Sequence, residues 1–238
     1  MLSIAMIKNL FIFICIYLPV ICFGQSRQLV DSINKVIGPT YLLKADSSHK
    51  YHNYNSFFEV DLTGDGVKEI VLAAGKADSE DSNKIFVFQR KGRQLQIIDS
   101  SPPYEVDGHG PSTSVRGSQL TITHGFSHGS NSITYDFDKK SHIYRLVALY
   151  NIVGNPRAPD ENHILDFQQE YDVKTGILAL NTSITNYTTD KVDGKKQMKV
   201  LQKLPADISL NLSEMKDPYG YDDVFLTEGP VYEAMMKY

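Results

Sequence analysis

From Ser56 to Ser183 the chain is written in short runs of β-branched and aromatic residues, each closed by glycine or polar turn residues. The runs recur at roughly ten-residue intervals, which is the rhythm of hairpins. Such spacing leaves no room for the crossover helices that parallel strands need, so it predicts antiparallel β structure rather than βαβ units. The runs fall at 56–61 (SFFEVD), 68–74 (KEIVLAA), 84–90, 94–98, 119–124 (QLTITH), 131–137 (NSITYDF), 143–150, 164–172 and 177–183. Val173-Lys174-Thr175-Gly176 joins the last two as a hairpin turn. The stretch 100–117, rich in Pro, Gly and Ser, reads as a long loop or a boundary between two sheets. The expected fold class is therefore mostly β: antiparallel meanders forming a partial β-propeller or two packed sheets.

One helix precedes the strands. In SRQLVDSINKVI (26–37), Leu29, Ile33, Val36 and Ile37 share a face at helical spacing, and Gly38-Pro39 ends the pattern. Beyond residue 190 the chain is polar, then runs through DPYGYDDVF to a short helical EAMMKY at the C-terminus.

Lys8 and Asn9 lead into an apolar run of 14 residues, Leu10 to Phe23, followed by the small residue Gly24. That length matches a signal-peptide core and is short for a membrane-spanning helix. Residues 1–24 are read as a signal peptide, leaving no stable membrane span after cleavage, and 25–238 as a single β-rich domain. Both cysteines, Cys15 and Cys22, fall in the removed segment, so the remaining 214 residues have no disulfide framework and depend on a packed core. Thiol catalysis and Cys-ligated zinc are excluded with them. The whole chain carries a formal charge of −4, and loss of Lys8 makes the exported part slightly more acidic. That balance gives no electrostatic reason to expect nucleic acid as a partner. The expected location is the periplasm, the cell surface or the extracellular space.

The stretch FFEVDLTGDGVKEIVLAA (57–74) sets Asp61, Thr63, Asp65 and Glu69 at positions 1, 3, 5 and 9 of a glycine-containing loop. Alternating oxygen ligands around a tight turn suit a hard cation such as calcium. An EF-hand would need a bidentate acid at position 12, where Leu72 stands, and the flanks here are strands.

DLTGDGVKEIVLAAG followed by KIFVFQRKGRQLQII resembles the FG-GAP or VCBS-type repeat of integrin α-chain propellers and many bacterial surface proteins. The resemblance covers about 45 residues, 55–100. It implies a loop of the form Asp-x-Asp/Asn-x-Asp-Gly-x-x-Asp binding Ca2+ between two strands. It carries onto Asp61, Asp65 and the backbone carbonyl of Val67 directly, and onto Thr63 and Glu69 by substitution. Thr is a neutral, weaker ligand, and Glu is one methylene longer than the usual Asp. A second unit at 117–185 repeats the strand-turn-strand rhythm without an acidic loop, and the polar segment 190–238 completes the domain. A closed propeller, needing at least four blades, is the runner-up architecture.

His109, His124 and His128 lie in glycine-rich surroundings (DGHG, HGFSHG), where they suit ligand recognition better than a zinc site, since no helical HExxH accompanies them. Tyr51 and Tyr54 in SHKYHNYNSFF are candidate aromatic contacts. Together these residues predict a non-enzymatic exported binding module for a protein or glycan of the bacterial envelope. One specific form is an inhibitor or immunity protein against an envelope toxin or hydrolase. The alternative is a secreted hydrolase using a His/Asp site around 107–128.

Overall fold

The computed structural model describes residues 28–41, 56–77, 82–105, 112–126, 129–154, 160, 162–186, 188–216 and 218–237. The expected signal peptide at 1–24 lies outside them. Two antiparallel sheets account for most of the chain. In the first, β1 (Ser56–Val60), β2 (Glu69–Gly75), β3 (Ser82–Lys91) and β4 (Gln94–Ser100) follow one another as a meander, and the short β5 (Tyr104–Glu105) pairs with β3. The second is a seven-stranded meander of β6 (Ser112–Arg116), β7 (Gln119–Phe126), β8 (Gly129–Asp138), β9 (Ile143–Gly154), β10 (His163–Asp172), β11 (Ile177–Asn186) and β12 (Lys191–Leu201), in sequence order across the sheet. Both sheets are open, so the two-packed-sheet expectation is the one realised, and no closed propeller forms among the described residues.

The first sheet is covered on both faces, which is why β2, EIVLAAG, is buried at every position rather than at alternate ones. Ile70, Leu72 and Ala74 pack with Phe86 and Phe88 under the N-terminal helix α1 (residues 28–37), where Ile33 is fully buried and Leu29, Val30 and Ile37 flank it. Val71, Ala73, Ile85 and Val87 point the other way and meet Leu120, Ile122, Ile133 and Tyr135 of the second sheet. Asp99 ties the two sheets together: its Oδ2 accepts the Tyr144 N–H (2.7 Å) and its Oδ1 accepts the Ser100 N–H (2.8 Å). Burial raises the Asp99 carboxyl above the usual carboxylate range despite those two bonds.

Strands spaced about 4.8 Å apart make the seven-stranded sheet roughly twice as wide as the four-strand path facing it. The uncovered part of its inner face is closed by the C-terminal segment. Ile208, Leu212, Met215, Tyr221, Val224, Phe225, Met235 and Met236 all sink into the same core as Leu165, Phe167, Leu178 and Leu180. They are carried by 3-10 turns at Leu212–Glu214 and Pro218–Val224 and by helix α2 (Pro230–Met236). The polar C-terminal segment is thus a lid of the core.

Two departures from the expected element map have physical causes. The 100–117 stretch contains β5 and β6, both short and polar, which hides their alternation. β12, KVDGKKQMKVL, is an edge strand whose lysines face solvent, and charged edges of this kind guard against edge-to-edge pairing. Its register slips between Ile184 and Thr185, so that Gly194 and Val192 pair while Asp193 bulges out. The bulge aims Asp193 at His163, two strands away. His163 Nδ1 lies 2.7 Å from Asp160 Oδ1 and Nε2 lies 3.1 Å from Asp193 Oδ2.

Asp160, and then Asp193, raise the His163 imidazole above its ordinary value of 6.5. A raised folded-state value means the clamp is complete below the unfolded value and is lost as pH rises through the folded one. Amide protection at the Lys191–Gly194 end of β12 is therefore expected to fall as pH rises above 6.5 through the raised imidazole value in hydrogen exchange. In His163→Gln that step is absent; a step that persists assigns it to another group.

Candidate functional site

The inner face of the large sheet is mostly apolar, with Thr113 and Thr182 as scattered buried hydroxyls and one continuous polar row. In β7 the inward positions read Leu120, Ile122, His124; in β8 they read Asn131, Ile133, Tyr135, Phe137. The registers His124↔Asn131, Asn131↔Asn151 and Asn151↔Gln169 place four polar side chains side by side on β7, β8, β9 and β10. Their exposures are 1, 6, 8 and 2 %, so the row is as buried as the leucines beside it. Burying an amide costs about 1–3 kcal/mol when its partners are missing, and this row is bonded: Asn151 Nδ2 donates to Asn131 Oδ1 (2.5 Å).

The C-terminal segment brings a carboxylate to this row. Tyr221, buried, lies with its hydroxyl 3.1 Å from that of Tyr135, and accepts the Lys216 N–H. Five residues on, Gln169 holds Leu226 by both backbone groups, accepting its N–H (2.8 Å) and donating to its carbonyl (3.1 Å). Between those anchors Asp222 is fixed, and its Oδ1 accepts from Asn131 Nδ2 (3.1 Å). Partial burial raises the Asp222 carboxyl, Asn131 opposes this, and neighbouring Asp223 adds to it. A cavity of about 420 Å³ opens here, with Phe126, Val153, Phe167 and Tyr232 as its apolar walls. Phe167 and Tyr232 meet edge to face at 5.5 Å.

The β1–β2 loop is built as its glycines require. Gly64 and Gly66 have φ of +80° and +84°, the left-handed region that favours glycine. Asp61 accepts the Gly64 N–H through Oδ1 (2.7 Å) and the Gly66 N–H through Oδ2 (3.0 Å), and Asp65 Oδ1 accepts the Val67 N–H (2.8 Å). Glu69 is fully buried on the face toward the second sheet; its Oε2 accepts the Leu62 N–H (2.8 Å). Glu69 Oε1 and Thr63 Oγ1 have no hydrogen-bond partner in the protein. Among the described residues no three His, Cys, Asp or Glu side chains gather as a metal-holding group. The donors are all oxygen, and the orphaned Glu69 and Thr63 atoms fit a hard cation in chemistry, while Asp61, Asp65 and Glu69 each also accept loop amides.

Of the other expected site residues, His124 heads the polar row, while Tyr51, Tyr54, His109 and His128 lie outside the described residues. A second, larger concavity of about 760 Å³ lies between α1 and the ends of β1, β3 and β4. Its charged pair, Arg90 and Glu59 at 2.6 Å, is surface-exposed, so it lacks the buried polar groups of the smaller cavity. Asn131, Asn151, Gln169 and Asp222 escape a motif search. The legible signal for the first three is phase, since each is a polar residue at an inward position of an alternating strand. No helix among the described residues is long and apolar enough to cross a membrane. No protein-family model matches the chain, and neither a curated protein nor a solved structure matches it.

Proposed function

We propose that this chain is an exported, non-catalytic binding module of the bacterial envelope that recognises a protein or glycan, as an inhibitor or immunity protein would. The observation that carries this reading is the buried His124–Asn131–Asn151–Gln169 row opening into a cavity beside Asp222. A row of buried polar groups whose hydrogen-bonding capacity is only partly used adds little to stability compared with well-packed hydrocarbon. It does supply directional contacts, and a concave, largely apolar site with a few fixed polar groups is what ligand recognition uses.

Val153 half-buried in the cavity wall gives the direct test. Val153→Trp fills the cavity and is expected to abolish capture of the partner from an envelope fraction, whereas Arg93→Ala in the other groove leaves capture unchanged. Equal capture by wild type and Val153→Trp would remove the cavity from the binding surface.

We propose further that the Asp61–Glu69 loop, through Asp61, Thr63, Asp65, the Val67 carbonyl and Glu69, takes a calcium ion that stiffens the β1–β2 hairpin. A ligand that binds only the folded state must stabilise it. Millimolar calcium is expected to raise the melting temperature and excess chelator to lower it. A melting temperature indifferent to both would withdraw the ion.

A further inference from the structure

The cavity's chemistry is more selective than its shape. Asp222 is the one carboxylate or basic group among the described residues that line it, and Asp223 adds a second negative charge next to it in the chain. Among the described residues no lysine or arginine pairs with Asp222. A carboxylate in a cavity wall with a single amide for a partner keeps an oxygen free for a cation.

The neighbouring amides are mostly committed. Gln169 spends both ends of its side chain on Leu226. Asn131 spends its oxygen on Asn151 and its nitrogen on Asp222. What remains are two acceptors, Asn151 Oδ1 and the second carboxylate oxygen of Asp222, and the second N–H of each amide nitrogen. An ammonium group supplies the positive charge that Asp222 lacks, and its donors suit both free acceptors. Phe126, Phe167 and Tyr232 supply the rest, because aromatic rings attract cations and Val153 and Leu226 suit an aliphatic stem.

Resting on the binding reading above, we propose that the cavity receives a lysine side chain of a protein partner, with its ammonium on Asp222 and Asn151 and its methylenes along Phe167, Val153 and Tyr232. The partner then presents an exposed lysine on a protruding segment, and an acidic, aromatic socket on this chain closes over it.

The probe is Nα-acetyl-lysine N-methylamide, titrated into the purified full chain at low salt and followed through the side-chain amide signals of Asn131 and Asn151. Saturable shifts of both are expected. Nε-acetylation of the probe should abolish them, and Asp222→Asn, which keeps an acceptor for Asn131, should weaken binding about tenfold or more. Cadaverine separates the sources: binding equal to that of the lysine probe would assign the site to free amines and overturn the protein partner. Shifts produced by N-acetylglucosamine but not by the lysine probe would overturn the ammonium while leaving a binding cavity in place. Should no probe bind and Val153→Trp still capture the partner, the cavity reading itself fails along with the ammonium.

Discussion

A seven-stranded sheet has more apolar inner face than a five-stranded sheet can cover, and the rest of this structure follows from that mismatch. The first sheet packs over the β6–β9 half and brings α1 on its back, so it is buried on both sides. The β9–β12 half is left to residues beyond β12, which therefore cannot be a tail. Eight buried side chains between Ile208 and Met236 close the core there. The cavity sits where the turn Pro218–Val224 and the residues after it meet the sheet, because an irregular segment cannot follow a pleated surface as closely as a second sheet does.

The polar row lies under that imperfect cover. Leucine at Asn131 and Asn151 would match Ile133 and Leu149 in the same strands and would pack without hydrogen bonds. The chain instead keeps four polar groups within 8 % exposure and threads Asp222 onto them. Buried polar networks are costly when incomplete and seldom more stabilising than hydrocarbon when complete. Their presence in one row, beside a cavity with buried polar walls, supports the recognition proposed for this face. The acidic loop between β1 and β2 is separate from this site: it closes a hairpin on the first sheet through its own amides, with Glu69 turned into the core.

The architecture was legible where the sequence alternates cleanly. NSITYDF and QLTITH show their inward residues by period, α1 shows its face at Leu29, Ile33 and Ile37, and Gly38-Pro39 marks its end. β12 was not legible, since an edge strand whose positions are exposed or only half-buried needs no apolar period, and its lysines read as loop. β6 was lost for a related reason: STSVR is polar enough to merge with the turn before it. The site was half legible. His124 stands out by residue type, and Asn131 and Gln169 by being polar in an apolar phase. Asp222 could not be placed, because only the fold of a segment about ninety residues downstream brings it to Asn131. Nothing local in DPYGYDDVF signals that meeting.

The central claim is that the Asn131–Asn151 pair is kept for a ligand rather than for the core. Replacing both by leucine removes donor and acceptor together, Gln169 keeps its own bonds to Leu226, and Asp222, which loses the Asn131 amide, is exposed to solvent. Denaturant unfolding of Asn131→Leu/Asn151→Leu, measured beside partner binding by the same preparation, tests it most directly. The account predicts stability equal to or above that of the wild type with binding lost. A loss of more than about 2 kcal/mol with binding retained would show that the row is structural and contradict the account.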